Sequence, residues 1–378
     1  MQRVVHIFLV TCALLASSYA MAKAKVSERV VYYTSIDQHG DTLTLSGKLS
    51  VPDKPKGVIL IPHYTIAANE EIPSMCTSPE AKYLRNDYVL VMPDYIGYGA
   101  SRNRVHPYLR GDLTARNCVD MLFASWPVMD NLGVTLPKDS IYLVGFSQGG
   151  ATVLWILKLL EEQYADRIHV KHCFAGSGPY DVAATYDNAV RLNTVGLPIV
   201  IPMLVMGTSE AYDLNLQREQ FFTEEMNRHY DDYVTSKERT ITYSFFRTLN
   251  HHVDKWLTAY GADKTQPETR KMYEGFLRSS LVHYPIDNSP VGQEVICPGT
   301  GYTSNNTVGT WRPKAPVYVF HSYDDRIVTV INAQHLQRCW SDLSNVTFEY
   351  GHFGSHIGSL MHYYPRVQKQ LKQQTSKH

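Results

Sequence analysis

The chain has 378 residues, 44% hydrophobic and 19% charged, an ordinary globular composition large enough for one big domain with an insertion or for two smaller ones. Lys plus Arg and Asp plus Glu balance at 36 each, so no charge excess points to nucleic acid or to an anionic membrane surface.

Residues 1–22 read as a secretory signal. Arg3 supplies the positive start, and residues 4–16 form an apolar run too short to span a membrane comfortably. Cleavage fits after Ala20 or after Ala22. The mature protein is therefore expected to be exported, without a stable membrane anchor.

Five cysteines follow that segment: Cys76, Cys118, Cys173, Cys297 and Cys339. Cys118, Cys173 and Cys339 fall in helix-like or strand-like stretches and read as small core residues. Cys76 and Cys297 lie in loop-like stretches and form the one pair expected to bridge. No cysteine or histidine spacing suggests a metal site. In His251-His252-Val253-Asp254, adjacent side chains on a helix would point about 100° apart.

Taken in order, residues 30–34, 42–46 and 47–51 alternate in polarity around the turn Asp37-Gln38-His39-Gly40-Asp41, which predicts an antiparallel hairpin at a sheet edge. Apolar runs at 57–62, 88–93, 141–144, 169–176, 316–321 and 346–350 predict six further strands. Helical periodicity intervenes at 78–86, 113–124, 151–164, 330–342 and 359–371. Strands alternating with helices call for a mostly parallel sheet with helices on both faces.

One interval breaks the rhythm. Residues 182–310 look largely helical and irregular, with no separate sheet core, and are expected to form a cap over the carboxyl ends of the strands. The core is then 23–181 together with 311–378. The cap carries many of the chain's 26 tyrosines, among them Tyr212, Tyr230, Tyr233 and Tyr243. They either pack the cap's own core or wall a pocket. The aliphatic run at 195–206 reads as a buried cap helix, a lid or a membrane-touching segment.

Chemistry concentrates at Val144-Gly145-Phe146-Ser147-Gln148-Gly149-Gly150, between the strand at 141–144 and the helix at 151–164. A G-x-S-x-G turn in that setting lifts a serine hydroxyl above the sheet edge on a strained backbone. Gly145 and Gly149 are needed because a Cβ there would collide where strand and helix close in. Ser147 is thus the expected nucleophile. A serine hydroxyl needs a general base, usually a histidine held by a carboxylate. The strand at 316–321 runs into Asp324-Asp325, and the last strand into Gly351-His352-Phe353-Gly354-Ser355-His356. Either aspartate and either histidine can be drawn from these loops.

These motifs resemble the α/β-hydrolase fold, and within it the secretory-lipase group of exported lipases and esterases. The resemblance rests on the Ser147 turn, on Asp94-Tyr95-Ile96-Gly97-Tyr98-Gly99, on His106-Pro107-Tyr108-Leu109 and on Ala175-Gly176-Ser177-Gly178-Pro179-Tyr180-Asp181-Val182. It covers residues 62–181 and resumes at the acid and histidine loops; the cap has no match. It implies the order serine, acid, histidine. Aligned on the pattern Gly-x-x-Asp-x-x-Val, with Ser322 in place of the glycine, it selects Asp325. His356, 31 residues later (356 − 325) and just before the last helix, is then preferred over His352. The oxyanion hole would draw one N–H from Gln148 and the other from Thr65 or Tyr64, where Tyr64 replaces the usual glycine. The implied reaction is ester hydrolysis through an acyl-enzyme, with no cofactor. No long aliphatic stripe suggests an interfacial lid, so a small ester of short or medium acyl chain is the expected substrate. A triacylglycerol lipase, or a serine peptidase of the oligopeptidase branch, is the alternative.

Overall fold

A computed structural model describes residues 26–137, 140–181, 200–221, 227–228, 230–241 and 311–375. The predicted signal segment, His251-His252-Val253-Asp254 and most of the predicted cap lie outside the described residues.

Chain order begins with an antiparallel hairpin, β1 (Val26–Ile36) and β2 (Thr42–Pro52), followed by β3 (Val58–Leu60). Next come α1 (Pro79–Leu84), β4 (Val89–Pro93), α2 (Gly111–Asn131), β5 (Ile141–Phe146), α3 (Gln148–Gln163) and β6 (Val170–Gly176). Within the predicted cap lie α4 (Val200–Ala211) and the short α5 (Arg218–Phe221). The core resumes with β7 (Val317–Ser322), α6 (Ile331–Cys339), β8 (Val346–Gly351) and α7 (His356–Thr375).

The eight strands form one sheet in the order β1-β2-β4-β3-β5-β6-β7-β8. β1 and β2 run antiparallel to their neighbours, and every pairing from β4 to β8 is parallel. The expected edge hairpin and parallel core are therefore both present. The parallel strands are apolar on both faces because both are covered. Val58, Leu60 and Leu143 face the layer of α2, α3 and α6, while Ile59, Ile61 and Val144 face α1 and α7. The insertion leaves from β6 and returns to β7, which are paired in the sheet, so the core closes without it.

Three helices start earlier than periodicity predicts: α2 at Gly111 instead of 113, α3 at Gln148 instead of 151, and α7 at His356 instead of 359. All three first turns contain glycine, which masks helical patterning. Of the aliphatic run at 195–206, residues 195–199 lie outside the described residues; the remainder belongs to α4, in which Met203, Leu204 and Val205 are buried.

The cysteine expectation needs correction. Cys76 is a free thiol, so the Cys76–Cys297 pair does not form. Cys339, read as a core thiol, is instead disulfide-bonded to a partner outside the described residues. Cys118 and Cys173 are free and fully buried, as expected. Cys76 instead donates its thiol to the Glu71 carbonyl at 3.2 Å, and Cys339 at the end of α6 is only half-buried.

α1 and α7 are joined by a buried polar bond, Tyr364 Oη donating to Glu80 Oε1 at 2.8 Å. Burial pushes the Glu80 carboxyl above its ordinary range. Tyr364→Phe removes that donor without changing the packing volume. It should lower the unfolding free energy by about 1–3 kcal/mol, measured by urea denaturation. A loss below about 0.5 kcal/mol would show that the bond contributes little.

Candidate active site

The turn at Ser147 is built as its sequence requires. Ser147 has φ 58° and ψ −125°, a backbone region that non-glycine residues avoid at a cost of about 1–3 kcal/mol. Its N–H donates to the Gly176 carbonyl of the adjacent strand at 2.8 Å, which holds the turn in place. A Cβ on Gly149 would lie 2.1 Å from the Pro62 carbonyl oxygen, so the start of α3 lies directly against the loop after β3. The segments carrying Gln148 and Thr65 are therefore neighbours.

Of the two aspartates and two histidines left open by the sequence, one pair meets the serine. Ser147 Oγ lies 2.8 Å from His356 Nε2, and His356 Nδ1 lies 2.5 Å from Asp325 Oδ2. All three side chains are buried. The imidazole thus donates from Nδ1 to the carboxylate and presents a bare Nε2 to the serine hydroxyl. Asp325 Oδ1 accepts the N–H groups of Ile327 and Val328, both at 2.9 Å, so the carboxylate cannot turn away. Asp324 and His352 form a separate pair at 2.9 Å on the surface, away from this chain of bonds.

Two residues that sequence reasoning did not assign fix the acid loop, and one of them ties it to the histidine loop. Ser322, read only as a stand-in for glycine, donates to the Gly354 carbonyl at 2.8 Å and accepts the Phe353 N–H at 3.1 Å. It ties the loop after β7 to the loop after β8. His321 is fully buried and donates from Nε2 to the Val328 carbonyl at 2.7 Å, closing the turn around Asp325. Burial pushes its pKa below the ordinary histidine range, which keeps it neutral beside the carboxylate. The sequence signal for both was their position at the end of an apolar strand, just ahead of two adjacent acids.

Around the predicted oxyanion donors, Gln148 and Thr65 are buried and Tyr64 is half-buried. As the first residue of α3, Gln148 has no intrahelical acceptor for its N–H. Its side-chain Nε2 lies 2.9 Å from His106 Nε2, while Thr65 Oγ1 and Tyr108 Oη are 2.8 Å apart. The Tyr64 carbonyl accepts from His63 Nδ1 at 2.6 Å, and that buried ring stacks on Tyr95 at 3.9 Å.

The described residues of the predicted cap bond to these same loops. Glu71 Oε2 accepts the N–H groups of Ala67, Ala68 and Ile241. Lys237 Nζ donates to the carbonyls of Gly97, Arg102 and Arg104. Burial lowers the Lys237 pKa to about 8. Between cap and core lies a cavity of about 180 Å³, bounded by Tyr98, His106, Met203, Met206, Tyr230 and Lys237.

A nucleophile, a neutral base and an oriented carboxylate in hydrogen-bond succession can transfer a proton from Ser147 as it attacks an electrophilic centre. The short His356–Asp325 contact should give a strongly deshielded imidazole N–H resonance in the proton spectrum. Asp325→Asn should abolish that signal and Asp324→Asn should leave it in place. Its survival in Asp325→Asn would contradict this pairing.

No protein-family model matches the chain, and no curated protein matches it. Solved structures do. The rice cell wall degrading esterase LipA from Xanthomonas oryzae superposes with a TM-score of 0.74 at 21% identity, covering 96% of this chain and 94% of that one. Candida antarctica lipase A superposes with a TM-score of 0.57 at 16% identity, covering 88% and 73%. At these identities the likeness is one of architecture, and it agrees with the sheet order, the serine turn and the placement of the helices: the chain has the α/β-hydrolase fold.

Proposed function

We propose that this protein is an exported serine hydrolase that cleaves carboxylic esters of short to medium acyl chain through an acyl-enzyme. The observation that carries the reading is the unbroken succession Ser147 Oγ, His356 Nε2, His356 Nδ1, Asp325 Oδ2, with both links within hydrogen-bond distance. Such a relay on this fold is suited to acyl transfer. Export rests on the character of residues 1–22. No described helix is long and apolar enough to cross a membrane.

In the first half-reaction Ser147 Oγ attacks the ester carbonyl carbon while its proton passes to His356 Nε2. The carbonyl oxygen becomes an anion, and the N–H groups of Gln148 and of Thr65 or Tyr64 are in the loops that can face it. As the tetrahedral species collapses, the imidazolium returns the proton to the departing alcohol. That leaves the acyl group on Ser147. A water then attacks with His356 again as base, releasing the carboxylic acid and regenerating the hydroxyl. Asp325 stays ionised throughout, stabilising the imidazolium formed in each half-reaction.

The preference for short or medium acyl groups rests on the sequence, in which no long aliphatic stripe marks the mobile lid of an interfacial lipase.

The test is an acyl-length series of nitrophenyl esters, run with the wild type and with Ser147→Ala, and with emulsified triglyceride alongside. Wild-type turnover should peak between about two and six carbons without an interfacial jump, and Ser147→Ala should lose roughly 10³-fold or more in kcat while remaining folded. Undiminished turnover by Ser147→Ala would sink the assignment. A preference for long chains that rises at an emulsion surface would replace esterase by lipase.

A further inference from the structure

The motif His106-Pro107-Tyr108 makes no hydrogen bond to Ser147 or His356, yet it bonds to Gln148 and Thr65, two of the residues predicted to supply the oxyanion hole. Those residues come from different places: Gln148 opens α3, and Thr65 lies in the loop after β3. Their backbones are joined by no shared strand or helix. The tripeptide spans them, with His106 bonded to the Gln148 side chain and Tyr108 to the Thr65 hydroxyl.

His106 has one tautomer open to it. Its Nδ1 faces the Ile96 carbonyl at 2.8 Å, and a carbonyl only accepts, so Nδ1 carries the proton. Nε2 is then a bare acceptor, and the Gln148 amide donates to it. Burial lowers the His106 pKa to about 3, so this arrangement holds near neutral pH. Protonation would place a second donor against the Gln148 amide and break the bond. Proton uptake here accompanies unfolding, so the contribution of His106 to stability is present above its unfolded value near 6.5 and is lost as pH falls toward 3. Tyr108 is likewise buried, with its pKa pushed up to about 12, and remains a neutral hydroxyl.

The tripeptide is itself fixed from two sides. The Tyr108 N–H closes on the His106 carbonyl at 2.8 Å, and the proline between them restricts the backbone. On one side Gly97 comes so near that an added Cβ would lie 2.8 Å from His106 Cα. On the other, Gly207 of α4 comes so near that an added Cβ would lie 2.7 Å from the Tyr108 nitrogen. Core and cap therefore grip the same three residues.

We propose that His106 and Tyr108 are positioning residues for the oxyanion hole, His106 setting the start of α3 at Gln148 and Tyr108 setting the Thr65 loop, with α4 of the cap packed on the segment that joins them. The inference rests on the esterase reading above. It assigns no contact with substrate to either residue: they act through the two donors, whose stabilisation is realised only when the carbonyl oxygen becomes an anion.

The experiment compares wild type, Tyr108→Phe, His106→Leu and His106→Asn on nitrophenyl butyrate, with a trifluoromethyl ketone as a probe that forms a tetrahedral oxyanion on serine. Tyr108→Phe removes one oxygen atom and should fold normally. It should lower kcat about 10-fold, and His106→Leu about 10²-fold, with KM within about twofold of wild type. His106→Asn retains an acceptor toward the Gln148 amide and should recover most of the loss. Affinity for the ketone should fall in proportion to kcat. Unchanged kcat in Tyr108→Phe and His106→Leu, beside an active wild type, overturns this inference alone. So does a kcat loss that leaves ketone affinity intact. A wild type that turns over no nitrophenyl ester overturns the esterase reading and this inference with it.

Discussion

The structure depends on one close backbone approach. At Ser147 the chain reverses from β5 into α3 within a single left-handed residue, and glycines on the far side let the helix start press on its neighbours. An added Cβ on Gly149 would meet the Pro62 carbonyl oxygen at 2.1 Å, and one on Gly150 the Gly176 carbonyl oxygen at 2.3 Å. Because those contacts are backbone on backbone, no side-chain repacking relieves them. They fix where α3 starts, and with it the serine hydroxyl, the first helical N–H and the loop after β3. The strain at Ser147 is tolerated because its N–H is bonded to Gly176 and the whole turn is buried.

The acid and base reach that serine from strands further along the sheet, and their loops are tied to each other as much as to the core. Ser322 bonds across to Phe353 and Gly354, and the Asp325 carboxylate is filled by Ile327, Val328 and His356. Ser147 and Asp325 are thus oriented by backbone groups, which lose little entropy on ordering, and Asp325 in turn orients the His356 ring. The described residues of the predicted cap are tied to the remaining loops by Lys237, through three backbone carbonyls, and by Glu71, which accepts the Ile241 N–H as well as two N–H groups of its own loop. They therefore share supports with the loops that carry Thr65 and His106.

Much of this was legible in the sequence, for specific reasons. The parallel strands announce themselves as unbroken apolar runs because both faces are covered, and the glycines at 145, 149 and 150 mark a turn that admits no Cβ. Asp325 over Asp324 and His356 over His352 were drawn from a fold pattern, and Asp325 and His356 are the pair that lies in hydrogen-bond succession with Ser147. What stayed hidden depends on tertiary distance rather than local pattern. Cys76 and Cys297 shared only a loop-like setting, which says nothing of separation, and Cys76 proved to be free. Ser322 looked like a defect in a glycine motif, yet its hydroxyl does what a glycine could not. His106 and Tyr108 stood out as a motif, but their partners lie 42 and 43 residues away, beyond the reach of any periodicity.

The central claim is that Ser147 is a nucleophile activated by His356. Mass-spectrometric mapping of the adduct formed with a fluorophosphonate tests it most directly, since the reagent needs an activated serine but no knowledge of the natural ester. One adduct on the peptide bearing Ser147 is expected in the wild type, with labelling slowed by at least about 10³-fold in His356→Ala. A folded wild type that takes up no label, or that takes it up at another residue, would contradict the account.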